Sequence, residues 1–192
     1  MKPTPKTRSN FWRGQAAPVF ALAPMEDVTD TVFRELIMGV SDPKKLQVLY
    51  TEFTNVDGMN HPIGRKRVGE RLIVTPSESR KLKETGIKLV AQVWGNNPDI
   101  FHRIVKEISQ DSNFSGIDIN MGCPDKNVVK AGSCSALIEQ RELAKEIILA
   151  TREATHLPLS VKTRTGIRFH DTEKWIGTLL ETPLEAIILH GR

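Results

Sequence analysis

One short run holds the residue types best suited to chemistry: Asn120-Met-Gly-Cys-Pro124. Gly122 allows a sharp backbone turn, and Pro124 fixes the turn that presents the Cys123 thiol. A cysteine so presented can serve as nucleophile, metal ligand or proton donor. A metal needs further ligands at close spacing, and Cys134 is eleven residues away with no histidine between them. The reading therefore assigns no metal. A Cys–His nucleophilic pair stays open. As an acid, a thiol of ordinary pKa, about 8.5, is mostly protonated at neutral pH and can still release its proton. The plain alternative is a buried, inert cysteine.

Other polar residues sit at suggestive places. Pro24, Met25, Glu26 and Asp27 follow one apolar run, Gln92 lies inside another, and Lys162 and His190 end two more. A buried amide such as Gln92 needs partners, so it is harder to explain structurally than the rest. Met25 reads equally as core filler, Lys162 as a solvated lysine and His190 as a satisfied polar residue. Arg164 and Arg168 follow a strand and would suit phosphates, or simply water. The run Arg65–Lys66–Arg67 is a weaker basic patch. Glu26, Asp27 and Glu52 receive no catalytic role.

These residues need elements to hold them. Apolar runs at 19–23, 46–50, 88–93, 116–120, 159–162 and 186–189 read as strands. Helical spacing follows at 31–38, 98–110, 139–154 and 172–180, the first capped by Asp30 with Val32, Phe33, Leu36 and Ile37 on one side. Residues 51–71 read mostly as loop, 72–74 as a short strand and 77–83 as a helical turn. Strands separated by helices imply right-handed crossovers and a mainly parallel sheet. The polar residues cluster at the C-terminal ends of five strands. A doubly wound sheet gathers a site from fewer strands at one switch point, whereas a β/α barrel has one such catalytic face. The expected class is α/β, of the (β/α)8 barrel type.

Composition narrows the function classes. The chain has 192 residues, 39% hydrophobic and 26% charged, which excludes a disordered, collagenous or disulfide-dense protein. No run approaches the roughly 20 apolar residues of a spanning helix, so no membrane partner is expected. Two cysteines suggest a reducing, cytoplasmic setting. The net charge of +4 resides in Lys2, Lys6, Arg8 and Arg13, since the other 23 bases are matched by 23 acids. Residues 1–17 thus read as a basic tail and 18–192 as the folded part. That tail lacks the apolar core of a secretory signal, and Pro3, Pro5 and Gly14 disfavour an amphipathic transit helix.

Taken together, the segments resemble the tRNA-dihydrouridine synthases, flavin enzymes on a β/α barrel. The resemblance spans about residues 18–192 and rests on Ala23-Pro-Met-Glu-Asp-Val-Thr-Asp-Thr-Val-Phe-Arg34, Ala91-Gln-Val-Trp-Gly95, Asp118-Ile-Asn-Met-Gly-Cys-Pro124, Val128-Val-Lys-Ala-Gly132, Val161-Lys-Thr-Arg-Thr-Gly166 and His190-Gly-Arg192. It implies FMN as cofactor, NADPH as reductant, tRNA as partner and a monomer. Pro24 and Met25 would line the flavin, Gln92 would hydrogen-bond its ring, and Lys162 would stand near its N1–C2 end. His190 would lie toward its phosphate, and Asn120 would touch both flavin and uracil. Arg164 and Arg168 would meet tRNA. Hydride would pass from flavin N5 to C6 of a uridine, and Cys123 would protonate C5. Two alternatives are another FMN barrel reducing a small-molecule C=C bond, of dihydroorotate or dihydropyrimidine type, and an inactive, truncated remnant.

Two departures from the family pattern matter. The family usually has a second glycine two residues after Gly132, where this chain has Cys134. Cysteine resists backbone geometry that glycine permits, although the expected role of Cys134 is a small buried residue. Family members also continue past the His-Gly-Arg segment with two more strands and a helical domain. The chain is thus expected to supply about six of eight β/α units, leaving open sheet edges.

Overall fold

Residues 10–167 and 171–191 are described by the computed structural model. In chain order the elements are α1 (Phe11–Gly14), β1 (Phe20–Leu22), α2 (Thr31–Val40), β2 (Leu46–Tyr50), β3 (Thr54–Asn55), α3 (Val56–Asn60), α4 (Pro62–Val68), a 3-10 turn over Gly69–Leu72, α5 (Pro76–Thr85), β4 (Lys88–Trp94) and α6 (Pro98–Ile108). There follow β5 (Gly116–Met121), α7 (Lys126–Lys130), a second 3-10 turn over Cys134–Ile138, α8 (Arg141–Ala154), β6 (Leu159–Arg164), α9 (Thr172–Leu180) and β7 (Ala186–His190). Every strand pairing is parallel, in the order β1-β2-β4-β5-β6-β7, with short β3 joined to the far end of β4. This is a curled half-barrel of six strands, the expected class.

Alternation along each strand sorts side chains into two environments. Leu89, Ala91, Val93, Ile117, Ile119, Met121, Leu159 and Val161 face the helices and pack with Phe101, Ile104, Ile147, Ile148 and Trp175. The intervening residues line the inside of the curl. Val48, Tyr50 and Val90 form an apolar floor there, against which Phe11 and Trp12 pack. The described end of the expected tail is therefore attached to the half-barrel. Above that floor the inner layer is polar: Gln92, Asp118, Asn120 and Ser160 are all buried. Register sets them side by side, with Gln92 opposite Asp118, Asp118 opposite Ser160 and Asn120 opposite Lys162.

Among the described residues β1 pairs only with β2 and β7 only with β6, so these are the open edges. Their burial falls accordingly, with Phe20 and Leu189 exposed.

The loop expected over 51–71 is largely helical. Asn55 Oδ1 caps α3 at Gly58 N–H, 2.6 Å away, and His61 Nδ1 caps α4, whose first residue is Pro62. The glycines that signalled loop allow two helices to touch, since a Cβ on Gly64 would lie 2.8 Å from the Gly58 carbonyl. The short strand expected at 72–74 does not form; the chain there leaves a 3-10 turn without a ladder partner. The turn expected at 77–83 is a full helix, capped by Thr75 and stopped by Gly86 at φ 72°. The helix expected from 139 begins at Arg141, because the second 3-10 turn occupies the preceding residues.

Helix α2 departs most from expectation. Its buried residues are Arg34 and Met38, while Val32 and Leu36 are 70% and 57% exposed. Arg34 overrides the apolar pattern because all three of its guanidinium nitrogens are engaged. Nε and Nη2 donate to the Glu78 carboxylate at 2.6 and 2.8 Å. Nη1 donates to the Thr29 carbonyl at 2.6 Å, and Nη2 also to the Ile73 carbonyl at 2.9 Å. Thr31 Oγ1 completes the cluster by donating to Glu78 Oε2. Both charged side chains have 0% exposure, so each is tolerable only while the other is present.

The pair anchors the loop between β1 and α2. Arg34→Met should therefore destabilise the chain by about 3–5 kcal/mol, the usual effect of orphaning a buried charge. Urea unfolding checks this; a loss below about 1 kcal/mol would mean that Glu78 finds water or another cation.

Candidate functional site

The loops that follow the strands bring the sequence-derived residues together. Pro24, Gln92, Asn120, Cys123, Lys162, Arg164 and His190 line one cavity of about 210 Å³, with Phe53, Gly122, Pro124 and Thr163. Met25 is outside that lining; its side chain is 37% exposed and its backbone is tied down by Thr29 Oγ1. Arg168 lies outside the described residues. A second cavity of about 360 Å³ shares Pro24 and Lys162 with the first and continues inward past Tyr50 and Trp12.

A directional chain of hydrogen bonds shapes the first cavity. Asn120 Oδ1 accepts from the backbone N–H groups of Gly122 and Cys123, each at 3.0 Å. That assignment leaves Asn120 Nδ2 as donor, and it donates to Gln92 Oε1 at 3.2 Å. Gln92 Nε2 then donates to Asp118 Oδ2 at 2.6 Å, and Ser160 Oγ donates to Asp118 Oδ1 at 2.6 Å. An ionised carboxylate only accepts, so Asp118 orients both amides in turn. Asp118, Ser160 and Phe53 carried no role in the sequence reading. The available signal was an acid two residues before Asn120 on one strand, hence on the same inner face.

Burial pushes the Asp118 carboxyl up to about 6, against the lowering influence of Ser160, Gln92 and the Lys162 charge. The network survives protonation, because the Asp118 O–H can donate to Ser160 while Ser160 turns toward the Ile117 carbonyl, 3.5 Å away. Burial and the Asp118 charge together also push Tyr50 above its usual range.

The Cys123 loop is braced on two sides. A Cβ on Gly122 would meet the Thr163 backbone at 3.3 Å, so the loop lies directly on the end of β6. Asp125 Oδ1 caps α7 through the N–H groups of Asn127 and Val128. The chain then turns at Gly132 (φ 78°) and returns, with Ser135 N–H donating to the Cys123 carbonyl at 3.3 Å. Cys134 is buried and adopts φ 53°, so it keeps the left-handed backbone that glycine would adopt freely.

The neighbouring Cys134 thiol is the main influence that brings the half-buried Cys123 thiol down to about 6. The Asp125 N–H assists, while burial and the Asp125 and Glu26 carboxylates oppose the shift. The ordinary thiol pKa assumed from sequence does not hold in this loop. Cys134 is shifted strongly upward, by the Cys123 contact first and burial second, and so remains S–H.

Other polar residues are differently placed. A cavity of about 480 Å³ on the same face is lined by Asp27, Asp30, Glu52, Glu70, Arg67 and Arg71, with Thr31 and Ile73. It is remote in composition from the Cys123 site and mixes both charges. Glu52 Oε1 accepts from Asp27 N–H at 2.7 Å and holds Asp27 at φ 56°, a loop role. Arg65 is committed to Glu107 and to the Met59 carbonyl, which weakens the basic run as a free patch. Among the described residues no helix is long and apolar enough to cross a membrane.

With this geometry established, comparison with known proteins is decisive. Residues 21–192 match the family model described as dihydrouridine synthase (Dus). The chain belongs to the dihydrouridine synthase family. It is 43% identical over 168 residues to a probable tRNA-dihydrouridine synthase of Staphylococcus epidermidis, covering 88% of this chain and 47% of that protein. It is 40% identical over 186 residues to a probable tRNA-dihydrouridine synthase of Staphylococcus aureus, covering 96% and 53%. A probable tRNA-dihydrouridine synthase 2 of Bacillus subtilis is 40% identical over 184 residues, covering 95% and 53%. The chain thus spans about half the length of the curated relatives it matches.

The position of Asp118 makes a pH prediction. Its folded-state pKa lies above its unfolded value of 3.8, so the fold binds the extra proton and stability falls as pH rises from about 4 to about 6. Asp118→Asn can keep both contacts, accepting from Gln92 and donating to Ser160. The difference in urea midpoint between wild type and Asp118→Asn should therefore shift steadily in favour of the variant across that window. A difference independent of pH would show that Asp118 does not titrate there.

Proposed function

We propose that this chain carries the uridine-reducing site of a tRNA-dihydrouridine synthase, with Cys123 as the proton donor. The observation that carries the reading is convergence: Cys123, Asn120, Gln92, Lys162, Arg164 and His190, from four strands and their loops, line one cavity. Family membership and the names of the relatives support tRNA as the substrate.

The residues present fit a flavin. Gln92 keeps one N–H and one oxygen lone pair beyond its bonds to Asp118 and Asn120, which suits the edge of a polar ring. Lys162 offers a positive charge beside it, where electron density would gather, and Pro24 offers a flat apolar wall. His190 and Arg164 occupy opposite positions on β7 and β6 and would serve the phosphate-bearing ends of cofactor and tRNA. The cavity is smaller than the roughly 300–1,000 Å³ of a usual ligand pocket, so FMN would also need the adjoining 360 Å³ space. When bound and reduced, FMN would supply the hydride for C6 of the uracil, with NADPH restoring it.

The chain's own residues do the rest. Cys123 Sγ stands at the cavity wall and, in the form that carries its proton, delivers it to C5. Asn120, by gripping the Cys123 N–H, fixes where that sulfur stands. A stacked base hides its C5 and C6, so the target uridine must be extruded to reach Cys123. Positively charged Arg164 would steady the neighbouring tRNA phosphate.

Removing the donor tests the reading. Cys123→Ala should lower dihydrouridine formation about 10²- to 10⁴-fold, the usual contribution of a positioned acid. Mass spectrometry of tRNA incubated with the chain, FMN and NADPH measures it, while flavin fluorescence should show unchanged FMN uptake. Undiminished product from the variant would sink the assignment.

A further inference from the structure

We propose that Tyr50 is a further cofactor-binding residue: from the floor of the inner cavity, its hydroxyl donates a hydrogen bond to an acceptor on the flavin ring. The inference rests on the reading of the two adjoining cavities as the place of FMN.

Tyr50 is the last residue of β2 and is 2% exposed, packed in the apolar floor with Val48 and Val90. It also lines the 360 Å³ cavity, where Val19, Ala21, Ile187 and Leu189 supply apolar wall. Among the described residues its hydroxyl oxygen is buried and has no hydrogen-bond partner. Packing alone would be served by phenylalanine, which brings no polar atom to be satisfied. A buried donor left unmet carries its full desolvation penalty, so tyrosine at this place calls for an acceptor.

The protein's own acceptors near Tyr50 are occupied with one another. Asp118 and Ser160 both act on the phenol, yet Ser160 Oγ gives its hydrogen to Asp118 Oδ1 and Gln92 Nε2 donates to Asp118 Oδ2. The polar network therefore closes without Tyr50. Burial and the Asp118 charge keep the phenol protonated, so its hydrogen is available to a ligand.

The lining indicates which part of the ligand that is. Pro24 and Lys162 border both cavities, so one molecule can reach from the Cys123 wall to Tyr50. The polar side-chain groups of the inner lining residues are all able to donate: the Lys162 ammonium, the Trp12 indole N–H and the Tyr50 hydroxyl. A flat apolar ring with acceptors on its rim matches such a lining. A ribityl chain would instead set its hydroxyls against Val19, Ala21 and Ile187.

FMN titration of the 192-residue chain, followed by flavin fluorescence without tRNA, tests this. Tyr50→Phe keeps the ring and its packing. The urea midpoint of the free variant should stand at or above that of wild type, because an unmet hydroxyl has gone. Its Kd for FMN should nevertheless rise about 2- to 10-fold, the worth of one hydrogen bond. Lumiflavin, which has the ring without the ribityl phosphate, should lose affinity by a similar factor. Unchanged FMN affinity in folded Tyr50→Phe would overturn the inference and leave the flavin site standing. A loss seen with FMN but not with lumiflavin would also overturn it, by placing the contact off the ring. So would a lower urea midpoint for the free variant, which would show the hydroxyl to be satisfied within the protein. Wild type that takes up no FMN would instead remove the flavin reading, and the inference with it.

Discussion

The site depends on one buried carboxylate. Asp118 lies on the inner face of β5, where an ion would be untenable without donors. Ser160 and Gln92 supply them, and because a carboxylate accepts only, Gln92 must turn its amide nitrogen toward it. The Gln92 oxygen is thereby left for Asn120, and the Asn120 oxygen for the backbone of Gly122 and Cys123. A constraint on one side chain thus passes through two amides to set the loop that carries the thiol. Such directional polar networks specify a single arrangement, because any flipped amide would oppose donor to donor.

The network can exist only because the sheet is parallel and curled. Parallel register places Gln92, Asp118 and Ser160 in one row across β4, β5 and β6. The curl turns that row away from the helices, which take the apolar face of each strand. Phe11 and Trp12 close the apolar floor below, so polarity increases toward the C-terminal ends of the strands. At that end the loops after β1 and β5 meet the last residues of β6 and β7. The buried pair Arg34–Glu78 serves the first of these loops as Asn120 serves the second, by gripping backbone from within.

Particular elements show what was legible in the sequence. The runs at 46–50, 88–93 and 116–120 were readable as strands because buried parallel strands are nearly continuous in apolar and β-branched residues. Helix α9 was readable from end to end, at Thr172–Leu180. Segment 51–71 misled because Gly58, Gly64 and Gly69 signal loops locally, whereas here a glycine permits close contact between α3 and α4. Helix α2 misled because one of its two buried side chains is an arginine, and burying a charge depends on Glu78, 44 residues away. Cys123, Gln92, Asn120 and Lys162, grouped from the sequence, line one cavity. Met25, grouped with them, is not among the residues lining that cavity.

By itself the sequence determined the strand and helix alternation, the parallel class and the cysteine at a strand's end, because these follow from periodicity and turn chemistry within a few residues. The resemblance added which residues to gather. Only the tertiary structure decided how the gathered groups behave. The Cys123 thiol lies below its ordinary range chiefly because the fold sets Cys134 near it. A strand acid became the organiser of the site because register set it between Gln92 and Ser160. Both effects arise from interactions between residues apart in the chain, whose strength depends on exclusion of water, and neither distance nor water is written in local sequence.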